Sequence, residues 1–182
     1  SSDLKRWSNP KLIPVKGENV PVKKMGRMID PYLIEDKDLP GRWWCFYKQN
    51  GASMSYTDDF KTWKYFGRID SGENVCLIVN ENEYILFHSP HNGVGVKRSK
   101  DLKNWTDHEL LTFGQPEWEW SRGRLTAGHV LDLRQVPEIK KFIMFFHGEV
   151  SKDIQPPELH GNASLALAWS DDLINWNWTG KP

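Results

Sequence analysis

Three apolar runs of this sequence each open on a titratable side chain. They read Arg27-Met28-Ile29-Asp30-Pro31-Tyr32, Gly72-Glu73-Asn74-Val75 and Arg124-Leu125-Thr126-Ala127-Gly128-His129-Val130. Two carboxyls and an imidazole make an acid–base set. A carboxylic acid donates a proton near neutrality only if something holds its pKa up, and a second carboxylate beside it does so by like-charge repulsion. Glu73 is the candidate acid and Asp30 the candidate neighbour. Arg27 and Arg124 precede two of the runs, where a guanidinium could bind substrate hydroxyls or steady the carboxylates. Plainer uses stand beside these. Asp30 could cap a turn before Pro31, Glu73 could be a solvated loop residue, and His129 could hydrogen-bond within its strand. The arginines could form surface ion pairs of little worth. Recurrence favours chemistry: all three titratable residues are expected at the same point of successive repeats, aimed at one axis.

The elements that must position them are legible as a repeat. The core Asp-[Leu/Phe]-x-x-Trp occurs as Asp3-Leu4-Lys5-Arg6-Trp7, Asp59-Phe60-Lys61-Thr62-Trp63, Asp101-Leu102-Lys103-Asn104-Trp105 and Asp172-Leu173-Ile174-Asn175-Trp176. Ser2, Thr57, Ser99 and Ser170 precede it, and the tryptophans stand 56, 42 and 71 residues apart. Ser/Thr and Asp side chains bond nearby backbone amides and build tight turns. The Leu or Phe is expected to plug each turn into the core, and the Trp to open the next strand. Three short strand-like runs precede each of the last three motifs and one follows it, rich in β-branched and aromatic residues. Four-stranded units of about 40–50 residues read as propeller blades. The blades are expected over residues 24–68, 69–112 and 120–182, with residues 1–10 the outer-strand remnant of a preceding blade. Three blades do not close a ring, and an open one exposes strand edges, so residues upstream of Ser1 are expected to be missing.

Composition excludes several classes. The 182 residues carry 24 Lys+Arg and 24 Asp+Glu, a net charge of zero. That gives no basic footprint for nucleic acid or for a membrane surface. No apolar stretch approaches the ~20 residues of a membrane helix. With 23 aromatics, ten of them Trp, the chain is not disordered. Cys45 and Cys76 sit in apolar runs and read as buried free thiols.

Taken together, the blade turn, the Asp-Pro strand, the glycine-preceded Glu and the Gly-His strand resemble the five-bladed β-propeller glycoside hydrolases. The resemblance is nearest to glycoside hydrolase family 43, with families 32, 68 and 62 as relatives. It implies three carboxylates: an Asp base on the first blade, an Asp on the third that tunes and orients the acid, and a Glu acid on the fourth. Asp30 falls on the tuning Asp and Glu73 on the acid. Gly128-His129 falls on the fifth blade, with His129 near the channel and able to hold an ion through water. The base has no counterpart in this chain. The implied fold class is all-β, a five-bladed propeller represented by about three whole blades. The implied activity is hydrolysis of glycosidic bonds in oligo- or polysaccharides, of arabinosidase or xylosidase type. It proceeds through an oxocarbenium-like transition state that needs one carboxyl to protonate the leaving oxygen. No cofactor is required, and a structural calcium or sodium ion in the channel is the one ion implied. The expected partners are a carbohydrate and the missing N-terminal blades, with no nucleic acid and no membrane. The expected location is secreted or periplasmic. Alternatives are fructosidase chemistry on the same fold and a non-catalytic carbohydrate-binding propeller.

Further candidates lie on loops. Trp118 and Trp120 could stack on sugar rings or cover the gap between blades. His88 and His91 could touch ligand, although two histidines alone make no metal site. Glu117 and Glu119 are the next acids after Glu73. Asn104, Asn162 and Asn177 open glycosylation-type triplets.

Overall fold

The computed structural model describes residues 3–150 and 163–180. Twelve strands form three antiparallel four-stranded meanders. The first holds β1 (Ile29–Glu35), β2 (Trp43–Lys48), β3 (Ala52–Thr57) and β4 (Lys64–Ile69). The second holds β5 (Glu73–Asn80), β6 (Glu83–Ser89), β7 (Gly95–Ser99) and β8 (Thr106–Asp107). The third holds β9 (Arg124–Asp132), β10 (Phe142–Glu149), β11 (Ala163–Ser170) and β12 (Trp176–Trp178). All twelve expected strands form. The second sheet's last strand is the exception in length: only Thr106–Asp107 pair with β7, and an isolated Val94–Leu111 bridge extends it.

The turns behave as their side chains dictate. At Asp101 the carboxylate accepts the Lys103 and Asn104 amides at 2.9 and 2.8 Å, and Ser99 Oγ accepts the Leu102 amide at 2.9 Å. Asp59 with Thr57, and Asp172 with Ser170, repeat this geometry. Asp3 accepts the Lys5 and Arg6 amides at 2.9 and 3.3 Å, while Ser2 lies outside the described residues. The residue after the Asp of each motif is forced into the left-handed region: Leu4, Phe60, Leu102 and Leu173 have φ between 56° and 62°. The expected plug holds for Leu102 and Leu173, each 2% exposed, but not for Phe60 or Leu4, which lie outside the core. Phe60 packs on Trp43 at the surface instead. Trp7 is likewise exposed, and no strand forms among described residues 3–28, which carry one short helix, α1 (Val22–Met25). The first motif therefore keeps its turn without an outer strand.

The sheets pack face to face through two apolar layers. Trp44, Phe46, Met54, Leu77 and Leu86 fill the first; Phe87, Val130, Phe142, Met144 and Phe146 fill the second. Tyr32 borders both. The inner strands β1, β5 and β9 lie side by side, β1 against β5 and β5 against β9. Tyr32 Oη donates to the Leu77 carbonyl at 2.9 Å, and the Val130 amide donates to Cys76 Sγ at 3.3 Å. Cys45 and Cys76 are buried free thiols, as their apolar runs predict. The far face of the third sheet leaves Leu131, Phe145, Leu165 and Leu167 exposed.

Candidate functional site

Each inner strand carries a β-bulge near its start. Ile29 pairs with Lys48 and Tyr32 with Phe46, so Asp30 and Pro31 together face Tyr47. On β5, Glu73 pairs with Ser89 and Cys76 with Phe87, so Asn74 and Val75 face His88. On β9, Thr126 pairs with His147 and His129 with Phe145, so Ala127 and Gly128 face Phe146. The first bulge residue is left-handed in all three: Asp30 at φ 53°, Asn74 at 51° and Ala127 at 58°. A bulge bends its strand and re-aims a side chain, and such devices cluster beside active sites.

This register revises the expected alignment of the titratable groups. Asp30 is the left-handed residue of its bulge. Glu73 stands one position before the bulge of β5, and His129 two positions after Ala127. The three lie at the same end of neighbouring strands but not at equivalent points. The positions that do correspond are Asp30, Asn74 and Ala127, and after them Tyr32, Cys76 and His129. The last set converges: the Tyr32 and His129 rings meet edge-on with centroids 5.9 Å apart.

Glu73 is half exposed and pairs with Lys48 Nζ at 3.7 Å. Lys48 is the ladder partner of Ile29, so this ammonium, absent from the sequence reading, stands between the start of β1 and the start of β5. His129 is exposed on β9. Arg27 is exposed, and its carbonyl accepts from Gln49 Nε2 at 3.2 Å. Arg124 Nε donates to the His91 carbonyl at 3.1 Å, so its guanidinium ties the start of β9 to the loop after β6. Trp118 and Trp120 stack on each other at 5.0 Å and pack against Phe146. With Trp178, Leu165 and Leu167 they line a surface depression of about 370 Å³ towards the outer strands of the third sheet. Among the described residues no three His, Cys, Asp or Glu side chains gather as an ion would require. The residues around His129 do not by themselves make an ion site.

His88, expected at the ligand, is buried. Its Nδ1 accepts the Gly72 amide at 2.9 Å, and its ring leaves no room for a Cβ on Gly95. Burial, and after it the Lys97 ammonium, pushes the imidazole down to about 4. His147 is pushed down as well, by burial first and Arg124 next. A depressed His is neutral in the fold, whereas the unfolded chain protonates near 6.5. The His88 contribution is therefore complete above pH 6.5 and falls as pH drops towards 4, by about 3 kcal/mol in all. The carboxylates of Asp59 and Asp172 are held down to about 2, chiefly by backbone amides for Asp59 and by its Asn175 and amide contacts, against burial, for Asp172. Their contribution is present above about 4 and lost only below that. Urea midpoints at pH 7.5 and 5 should thus differ for the parent chain and differ much less for His88→Gln, whose amide oxygen can still accept from Gly72. An equal difference in both would remove His88 from the account.

The sequence matches no family profile and no curated protein. Solved structures do resemble the fold. A thermostable family-43 glycoside hydrolase aligns with a TM-score of 0.61 and 13% identity, over 85% of this chain and 51% of that one. An endo-arabinase from Bacteroides thetaiotaomicron aligns at 0.60 and 16% identity, over 83% and 54%. A family-32 β-fructofuranosidase from Bombyx mori aligns at 0.57 and 13% identity, over 83% and 34%. The chain spans about half the length of the first two and a third of the last. The fold is thus propeller-type, of the kind seen in glycoside hydrolases of families 43 and 32.

Proposed function

We propose that this chain is part of a five-bladed propeller glycoside hydrolase that cleaves oligo- or polysaccharides of arabinan or xylan type. What carries the reading is the pairing of that fold with two carboxyls, Asp30 and Glu73, at one end of adjacent inner strands. Glu73 protonates the leaving oxygen. Asp30, re-aimed by its bulge, orients the acid. The carboxylate that activates water or attacks is assigned to no residue of this chain and comes from further blades. Those blades cover the apolar far face of the third sheet, and a structural cation in the completed channel would draw on their side chains as well as His129. Arg27, nearest Asp30 in the chain, meets substrate hydroxyls. The likeness to a β-fructofuranosidase supports fructosides as the second substrate class.

The test is release of reducing ends from arabinan, xylan and inulin by the full-length protein. Release from arabinan or xylan supports the reading. Release from inulin alone would move it to fructosides, and none from any of the three would overturn it in favour of carbohydrate binding without turnover.

A further inference from the structure

We infer that Ser89 is a positioning residue that locks the start of β5, where Glu73 stands, to the bulge of β9. The inference rests on the glycoside hydrolase reading and extends it to a residue that touches no substrate. Ser89 ends β6, is 3% exposed and faces Glu73 across the ladder. Its Oγ accepts the Ala127 amide at 2.8 Å and the Asn74 Nδ2 at 3.3 Å. Asn74 and Ala127 are the left-handed residues of two neighbouring inner strands. One hydroxyl therefore holds both bulges.

The rest of the loop continues the lock. The Asn92 Oδ1 accepts the Leu125 amide at 2.8 Å, and the Gly93 amide donates to the Leu125 carbonyl at 2.7 Å. Asn92 is itself fixed by a reciprocal amide pair with Gln115, 2.9 Å in both directions. On the other side, Gly72 lies so close that a Cβ there would stand 1.7 Å from the Ser89 carbonyl oxygen. Residues 89–93 thus fix β9 in relation to the start of β5.

A left-handed alanine is disfavoured because its Cβ crowds the following carbonyl. Such a conformation persists where surrounding contacts over-determine it. The Ser89 hydroxyl is one of those contacts. Its loss leaves the Ala127 amide without that acceptor and lets the bulge relax. A displacement of about 1 Å in a catalytic group is worth up to about 100-fold in rate.

Two readouts on the full-length protein test this, using Ser89→Ala and Ser89→Thr, which keeps the hydroxyl. By NMR, Ser89→Ala should speed amide exchange at Ala127 and shift the Gly72, Glu73 and Gly128 resonances together, with the far end of β5 at Val79 unmoved. On a substrate that the parent protein turns over, Ser89→Ala should lower kcat at least tenfold with KM unchanged, and Ser89→Thr should recover most of the loss. Amide shifts confined to Ala127 would overturn the lock. Concerted shifts with kcat unchanged would overturn the positioning role. A parent protein that cleaves no glycoside would overturn the functional reading instead, and the NMR result would still decide whether Ser89 couples the two strands.

Discussion

Replacing Glu73 with Gln should lower kcat on a natural glycoside by about 10²- to 10⁴-fold, the range that a positioned general acid contributes. Gln has nearly the shape of Glu and keeps a hydrogen-bonding head, so the fold and the substrate affinity should be retained. The diagnostic is the leaving group. A glycoside whose leaving oxygen is already a weak base, such as a nitrophenol, needs little protonation. Glu73→Gln should therefore cost far less on nitrophenyl glycosides than on the polysaccharide. The basic limb of the pH–rate profile should also vanish, since that limb reports loss of the acid's proton. Equal losses on both substrate types would mean that Glu73 positions substrate without donating a proton. Undiminished turnover on both would remove it from the site and turn attention to Glu117 and Glu119, both exposed on the loop before β9.

Gly72→Ala should be the most damaging small substitution in the chain. The added carbon would stand 1.7 Å from the Ser89 carbonyl oxygen, 2.2 Å from its carbon and 2.7 Å from the Pro90 nitrogen. All three are backbone atoms at the end of β6 and the residue that follows it, so no rotamer change relieves the overlap. The start of β5 would have to peel from β6, breaking the Gly72–His88 hydrogen bond as it moved. Overpacking of this kind costs about 3 kcal/mol or more, and it displaces Glu73 as well. Gly41 supplies the comparison. It is left-handed at φ 85° but has nothing within 4 Å of an added Cβ, so Gly41→Ala should cost only about 1 kcal/mol. Urea midpoints of the two variants should separate clearly. Similar midpoints would mean that the β5–β6 corner opens to admit the added carbon.

The sequence made the architecture readable because the information was local. Ser-x-Asp turns and apolar runs announce themselves within a few residues, and all twelve strands follow from them. The site was less legible for two physical reasons. A bulge shifts side-chain phase by one residue without disturbing the apolar pattern, so Asp30, Glu73 and His129 looked equivalent when they are not. Asn74 carried a faint signal, since Asn tolerates the left-handed region; Ala127 carried none. Contacts between blades were the other blind spot. Ser89-Pro90-His91-Asn92-Gly93 reads as an ordinary turn, and only folding brings it against β9. His88 looked like a ligand-facing group because its type is polar, yet it closes the β5–β6 corner from inside. Lys48 lies 25 residues before Glu73 and ends a strand of the neighbouring sheet, so only folding brings the two together. Phe60 and Leu4 show that a motif can keep its hydrogen bonds while its hydrophobic plug faces outward.

The two apolar layers have a consequence for how the molecule comes apart. The first and third sheets flank the second and meet each other at the Tyr32–His129 ring pair, so stability is close to a sum of sheet terms and interface terms, as in a stacked array. Within this chain the second sheet has a neighbouring sheet on both faces, whereas the first and third each have one. Fluctuations should therefore open the flanking sheets first, and the amides of Leu77, Leu86 and Phe87 should exchange last. Unfolding would then proceed inward from both sides, with the strand that bears Glu73 surviving longest.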